Sequence, residues 1–260
     1  MNLTKHKDSQ GNYYEFSELK NSPTTIFIHG VGLDNTMWYP QKKYFHHHSI
    51  LFYDLINHGQ SRGGFKELNY EIYSDQLINL INELEIKKVN IVGFSIGALI
   101  AQHFTEKFYD KVNKLVLIGS VYQRSDRQIE TVKKRYSDAC GGANITIGSI
   151  KRWFSESYLN NHPEIYDFFY NLLERKKNED FLPAYKIFVN SDKYLINYSN
   201  FNMPSLIMTG ENEVGSTPLM SEGISKEIKN SDLYIIKNAK HGATIEQSNV
   251  VNEKLNKFLF

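Results

Sequence analysis

The sequence predicts an α/β protein: a mostly parallel, twisted sheet with helices on both faces and a block of helices inserted late in it. Three observations lead there. Short apolar runs rich in β-branched residues alternate with helical patterns through the first half of the chain, and that alternation implies parallel strands joined by crossover helices. The run Val89–Val92 passes straight into Gly93-Phe94-Ser95-Ile96-Gly97, a serine between two glycines at a strand-to-helix corner. From Val121 to about Asn197 the strand-like runs stop and only helical patterns remain. A chain of 260 residues, 41% hydrophobic and 23% charged, is long enough for one such domain with an insert.

The elements follow in order. Asn12–Phe16 reads as a short strand and Thr24–Ile28 as a stronger one, stopping at His29-Gly30-Val31-Gly32. Leu33–Phe45 fits a helix capped by Asp34 or Asn35, with Trp38 on its apolar side. Ile50–Asp54 is the next strand and leads into Leu55-Ile56-Asn57-His58-Gly59-Gln60-Ser61. Asp54 and His58 read best as polar side chains pinning that long turn through local hydrogen bonds. Tyr70–Leu84 is amphipathic, with Ile72, Leu77, Leu80, Ile81 and Leu84 turned inward. Ile96–Phe108 is the helix after Ser95, and Lys114–Gly119 a further strand. In the inserted block the helical patterns run over Asp126–Asp138, Ser149–Tyr158, Pro163–Glu174 and Asp180–Asn190. Ser205–Gly210 and Leu233–Lys237 are the last strands, and Thr244–Phe260 a closing helix.

The glycines around Ser95 have a chemical meaning. A serine pushed out of a sharp turn occupies strained backbone, and a side chain on either flank would strike the neighbouring strand or helix. The helix starting there turns its free N–H groups toward the hydroxyl, where negative charge develops in acyl transfer. Taken alone, the motif also fits a serine that merely caps a helix. In a parallel sheet, sites gather beyond the carboxyl ends of the strands, and Ser95, Val31 and Ser120 all fall there.

Composition narrows the function further. Thirty basic and 29 acidic residues leave a net charge of +1, which favours neither nucleic acid nor an anionic membrane as a partner. The polar stretch Met1–Gln10 does not resemble a secretory signal, and no run approaches the roughly 20 apolar residues of a membrane span. The single cysteine, Cys140, excludes an internal disulfide, so a cytoplasmic setting is expected. Cys140 has no histidine nearby in sequence to activate it, and His46-His47-His48 lacks a second ligand cluster and reads as a solvated helix end.

These residues resemble the α/β-hydrolase superfamily. His29-Gly30-Val31-Gly32-Leu33-Asp34 with Met37-Trp38, Asp54 with His58-Gly59-Gln60-Ser61, and Gly93-Phe94-Ser95-Ile96-Gly97 are similar to its compact branch of 3-oxoadipate enol-lactonases and small carboxylesterases. The similarity continues through Gly210–Pro218 to the C-terminal histidine. It implies an α/β-hydrolase core over residues 1–121 and 198–260, with a helical cap, or lid, over 122–197. It implies a catalytic Ser95, a base at His241 and an acid three positions after Gly210, at Glu213. Aspartate is usual at that position, so glutamate departs from the pattern, and Glu211 is its rival. The backbone N–H groups of Val31 and Ile96 would form the oxyanion hole, although Val31 also suits an ordinary strand-to-helix turn.

The cap is rich in aromatics, among them Trp153, Phe154, Phe168, Phe169, Tyr170, Phe181, Tyr185 and Phe188. Most are expected to form the cap's own small core, with Trp153 as a candidate substrate contact. Arg124, Arg127, Arg135 and Arg152 either hold a substrate carboxylate or lie on solvated helix faces. The resemblance thus implies hydrolysis of a small carboxylic ester or lactone, with no metal or organic cofactor. C–C bond hydrolysis, cofactor-free peroxidation and non-catalytic binding of a small ligand remain the alternatives on this scaffold.

Overall fold

The computed structural model describes residues 3–260. Eight strands form one sheet: β1 (Thr4–Lys7), β2 (Tyr13–Ser17), β3 (Thr24–Ile28), β4 (Ile50–Tyr53), β5 (Val89–Phe94), β6 (Val112–Ile118), β7 (Ser205–Gly210) and β8 (Ser231–Ile236). Their spatial order is β1-β2-β4-β3-β5-β6-β7-β8. β1 pairs antiparallel with β2 and β2 with β4; every other pairing is parallel. β1 was not legible in the sequence: Thr4-Lys5-His6-Lys7 is wholly exposed and polar, held at the edge by its ladder with β2 rather than by burial.

The helices are α1 (Tyr39–Tyr44), α2 (Tyr70–Glu83), α3 (Ile96–Lys107), α4 (Asp126–Cys140), α5 (Thr146–Trp153), α6 (Glu156–Asn161), α7 (Pro163–Glu174), α8 (Asn178–Val189), α9 (Pro218–Glu227), α10 (Ala243–Glu246) and α11 (Ser248–Leu259). Side chains alternate across each strand and so feed two cores. Ile26, Ile28, Ile91, Leu115 and Leu117 join α2, α3 and α9 on one face. Phe27, Val92, Val116 and Ile118 join Trp38, Phe45 and the inner side of α11 on the other. Both faces are therefore covered, as expected.

Three helices divide differently from the sequence reading, and a fourth is additional to it. The helix expected over 33–45 is a 3₁₀ turn, Asn35–Trp38, followed by α1, because Pro40 suits only a first helical turn and forces a restart. The helix expected over 149–158 divides into α5 and α6 at Phe154, which is extended and buried, with Ser155 capping α6. The closing helix breaks at Gln247 into α10 and α11. α9, capped by Thr217 and opened by Pro218, was not anticipated.

Helices α4–α8 lie between β6 and β7. Their aromatics do not form one private core. Val132, Phe181, Tyr185 and Val189 make a small cluster between α4 and α8. Phe154, Ile165, Phe169, Leu172 and Leu173 instead merge with the cluster that contains Trp38 and Phe94. Half of the insert is thus continuous with the main core.

Candidate active site

β5 delivers Ser95 to the carboxyl edge of the sheet with φ +57° and ψ −118°, a conformation rarely adopted by a side chain with a Cβ. The flanking glycines are required by contact. A Cβ on Gly93 would lie 2.4 Å from the carbonyl oxygen of Gly97, and one on Gly97 would lie 2.3 Å from that of Ile28. Ser95 N donates to Ile118 O at 2.9 Å, tying the corner to β6. The corner then opens into α3, whose first N–H groups have no partner within the helix.

The loop after β3 is held by histidine. His29 is fully buried; its Nε2 accepts from Leu55 N at 3.0 Å, which leaves Nδ1 to donate to Gly30 O at 2.8 Å. Burial lowers its pKa to about 4, so the ring is neutral and serves as a strut. His58 packs edge-on against it at 5.2 Å and donates from Nδ1 to Ile56 O. Asp54 accepts from Asn35 N and Nδ2 on one oxygen and from Gln60 N on the other. Burial raises its pKa to about 6 despite those donors. Asp54 and His58 therefore pin the turn, as expected, and shape the loop that carries Val31.

β7 leads to Glu213, whose carboxylate is almost wholly buried. Oε1 accepts from Gly215 N and Ser216 N, and Oε2 lies 2.8 Å from His241 Nδ1. Burial acts to raise its pKa, but the His241 imidazole and the two amides outweigh burial and hold it down to about 2. Ser216 Oγ also approaches Nδ1, at 3.4 Å. Glu211 points elsewhere: it is exposed and accepts from Asn238 N. Of the two candidate acids, Glu213 is the one beside the imidazole.

Ser95, His241, Glu213, Val31 and Trp153 line one cavity of about 760 Å³, mouth included. Its roof comes from α4, α5, α7 and α8, through side chains that include Trp153, Leu173, Phe181 and Tyr185. The Trp153 ring sits 6.3 Å from that of His241 and Phe94 4.9 Å. Ile96 is buried as the first residue of α3 and does not form part of the wall.

The arginines separate into three groups. Arg124 is buried against Asp192 at 2.6 Å and reaches Phe188 O, Val189 O and Ser191 Oγ, so it holds the ends of the insert together. Arg127 is exposed on α4. Arg135 and Arg152 line the cavity, joined by Lys176. Among the described residues none of these three forms an ion pair with a carboxylate. Arg152 makes only two long contacts, to Gly148 O and Ser149 Oγ, both at 3.4 Å. Burial, and then the neighbouring Arg135, lower its pKa to about 10, so it stays charged at neutral pH. Lys176 had no sequence signal, because its place depends on how the α7–α8 turn folds back over the site. Ser216 had a weak one, its position in the acid loop.

Among the described residues no group of three or more His, Cys, Asp or Glu is placed to hold a metal ion, and no helix is long and apolar enough to cross a membrane. The family model described as alpha/beta hydrolase fold matches residues 23–248. The (E)-2-((N-methylformamido)methylene)succinate hydrolase of Acinetobacter baylyi is 27% identical over 241 residues, 90% of this chain and 89% of that protein. The 3-oxoadipate enol-lactonase 2 of the same organism is 22% identical over 242 residues, 93% and 90% of the two chains. The solved enol-lactonase of Burkholderia xenovorans superposes with a TM-score of 0.81 at 18% identity, covering 95% of this chain and 96% of that one, a likeness of fold.

Proposed function

The chain belongs to the alpha/beta hydrolase fold family, and from that premise we propose that it is a serine hydrolase cleaving a small carboxylic ester or lactone that itself bears a carboxylate. The observation that carries the reading is the single cavity shared by a strained Ser95, a His241 paired at 2.8 Å with buried Glu213, and three cations that form no ion pair among the described residues.

Ser95 Oγ attacks the acyl carbon while His241 Nε2 takes its proton. The tetrahedral oxyanion is received by the N–H groups of Val31 and Ile96, each worth on the order of 3 kcal/mol. As the intermediate collapses, His241 returns the proton to the leaving alkoxide and an acyl-enzyme remains. Water, deprotonated by His241, then attacks the acyl carbon and releases the acid and free Ser95. Glu213 holds the imidazole with its proton on Nδ1 and stabilises the charged ring. Residues 122–197 act as a cap: Trp153, Phe181 and Tyr185 exclude water, while Arg135 and Arg152 receive the substrate's carboxylate through forked N–H donors. Two relatives are named for substrates of this character, a substituted succinate and an oxoadipate lactone.

The test uses p-nitrophenyl esters matched in length, one neutral and one ending in a carboxylate. Ser95→Ala is expected to abolish turnover of both. Arg152→Gln is expected to lower kcat/KM for the anionic ester by about 10- to 100-fold, the cost of a charge-assisted hydrogen bond, and to leave the neutral ester within about threefold. Turnover by folded Ser95→Ala would refute the hydrolase reading, and an equal loss on both esters would refute the carboxylate reading.

A further inference from the structure

Glu246 is a buried acid that the proposed chemistry leaves unused. It closes α10, five residues after His241, and is 8% exposed. Among the described residues it makes no ion pair with a cation. Its two oxygens take two backbone amides from opposite sides of an internal boundary. Oε1 accepts from Ser155 N at 3.0 Å, in the insert, and Oε2 accepts from Lys240 N at 3.1 Å, next to His241. A buried carboxylate without such donors would be costly, so both bonds are needed.

The other side of His241 is tied to the same corner. Gly242 N donates to Trp153 O at 2.7 Å. The Phe154 ring packs so closely on Gly242 that a Cβ there would lie 2.3 Å from Cε1. Lys240 Nζ reaches Lys151 O at 3.2 Å, and Tyr158 Oη reaches Ile245 O at 3.4 Å. Residues 240 and 242 are thus both fastened to Trp153–Ser155, and His241 is the residue between them. The break between α5 and α6 belongs to this arrangement. Were the helix continuous, Ser155 N would be spent on a carbonyl of the preceding turn; because Phe154 is extended, that N–H is free for Glu246.

We propose that Glu246 is a positioning residue: its carboxylate staples the Trp153–Ser155 corner of the insert to the His241 loop, so the seat of the lid and the aim of the imidazole are set together. The proposal rests on His241 being the base. Movement of the lid corner during substrate entry is then transmitted to the imidazole through two short backbone links.

The test compares Glu246→Gln and Glu246→Ala in the full chain. Glutamine keeps one acceptor oxygen and turns an NH₂ toward the second amide, so one bond survives; alanine removes both. Amide hydrogen exchange is expected to show lost protection at Ser155 and Lys240, graded alanine over glutamine, with the β5 and β6 amides unchanged. The rate of Ser95 phosphonylation by a fluorophosphonate, per folded molecule, is expected to fall about 10-fold for glutamine and about 100-fold for alanine, the scale of a displaced catalytic group. kcat is expected to follow it while KM moves less than about threefold. The ¹⁵N shifts of the His241 imidazole are expected to move in the same order. Unchanged exchange at the two amides would overturn the staple. Lost protection with undiminished phosphonylation would reduce Glu246 to a structural role and overturn its positioning one. If wild-type chain resists phosphonylation altogether, the hydrolase reading fails, and the exchange pattern with the imidazole shifts still decides whether Glu246 sets the ring.

Discussion

Replacing Ser95 with glycine separates the strain at the elbow from its chemistry. At φ +57° and ψ −118° the residue sits where a Cβ is disfavoured, at a cost of about 1–3 kcal/mol. Glycine removes that cost but frees the unfolded chain, which returns about 0.5–1 kcal/mol. The net expectation is a gain of about 1 kcal/mol, or about 3 °C in Tm for a chain of this length. Ser95→Ala is the control, since it deletes the hydroxyl and keeps the Cβ; its stability should stay within about 0.5 kcal/mol of wild type. Urea unfolding and thermal scans read the difference, and both variants should be inert toward a fluorophosphonate. A glycine variant no more stable than the alanine one would show that the elbow stores no strain at Ser95, leaving the contacts at Gly93 and Gly97 as the only constraint on its sequence.

Glu213→Gln should lower kcat by roughly 10⁴, the loss expected when the imidazole tautomer is no longer enforced, with Glu211→Gln nearly silent in the same ester assay; the opposite pattern would move the acid to Glu211. Stability should fall as pH drops from 7 to 5. His29 and His58 stay neutral when folded, with values of about 4 and about 3, whereas the unfolded chain takes up their protons below about pH 6.5. Each ring then contributes a loss of about 2 kcal/mol at pH 5. Asp54 acts in the opposite sense. Its folded value of about 6 lies above the unfolded one, so its protonation favours the native state and returns about 1 kcal/mol. His103, lowered to about 4 by burial, adds a further loss of about 2 kcal/mol, so the expected net loss is about 5 kcal/mol by urea denaturation, and a flat profile over this range would show that these histidines are not held neutral.

The sequence by itself determined the fold class and the local chemistry of the elbow. Those depend on short-range facts: alternating apolar runs, a serine between glycines, a helix cap such as Asp34. It also placed Ser95 and Val31 at the carboxyl edge of the sheet, because parallel strands end there together, and named His241 and two candidate acids. Only the tertiary structure set Glu213, and not Glu211, beside His241, since side chains two residues apart leave a loop in different directions and their placement rests on the path back from Gly210. The same holds for the four arginines. Periodicity made them equivalent, and packing turned Arg124 into a clamp, left Arg127 in solvent and brought Arg135 and Arg152 to the cavity. Lys176 and Glu246 carried no local signal at all. Their partners lie on distant segments, and a contact made across such separations is written in the packing of the core rather than in any stretch of sequence.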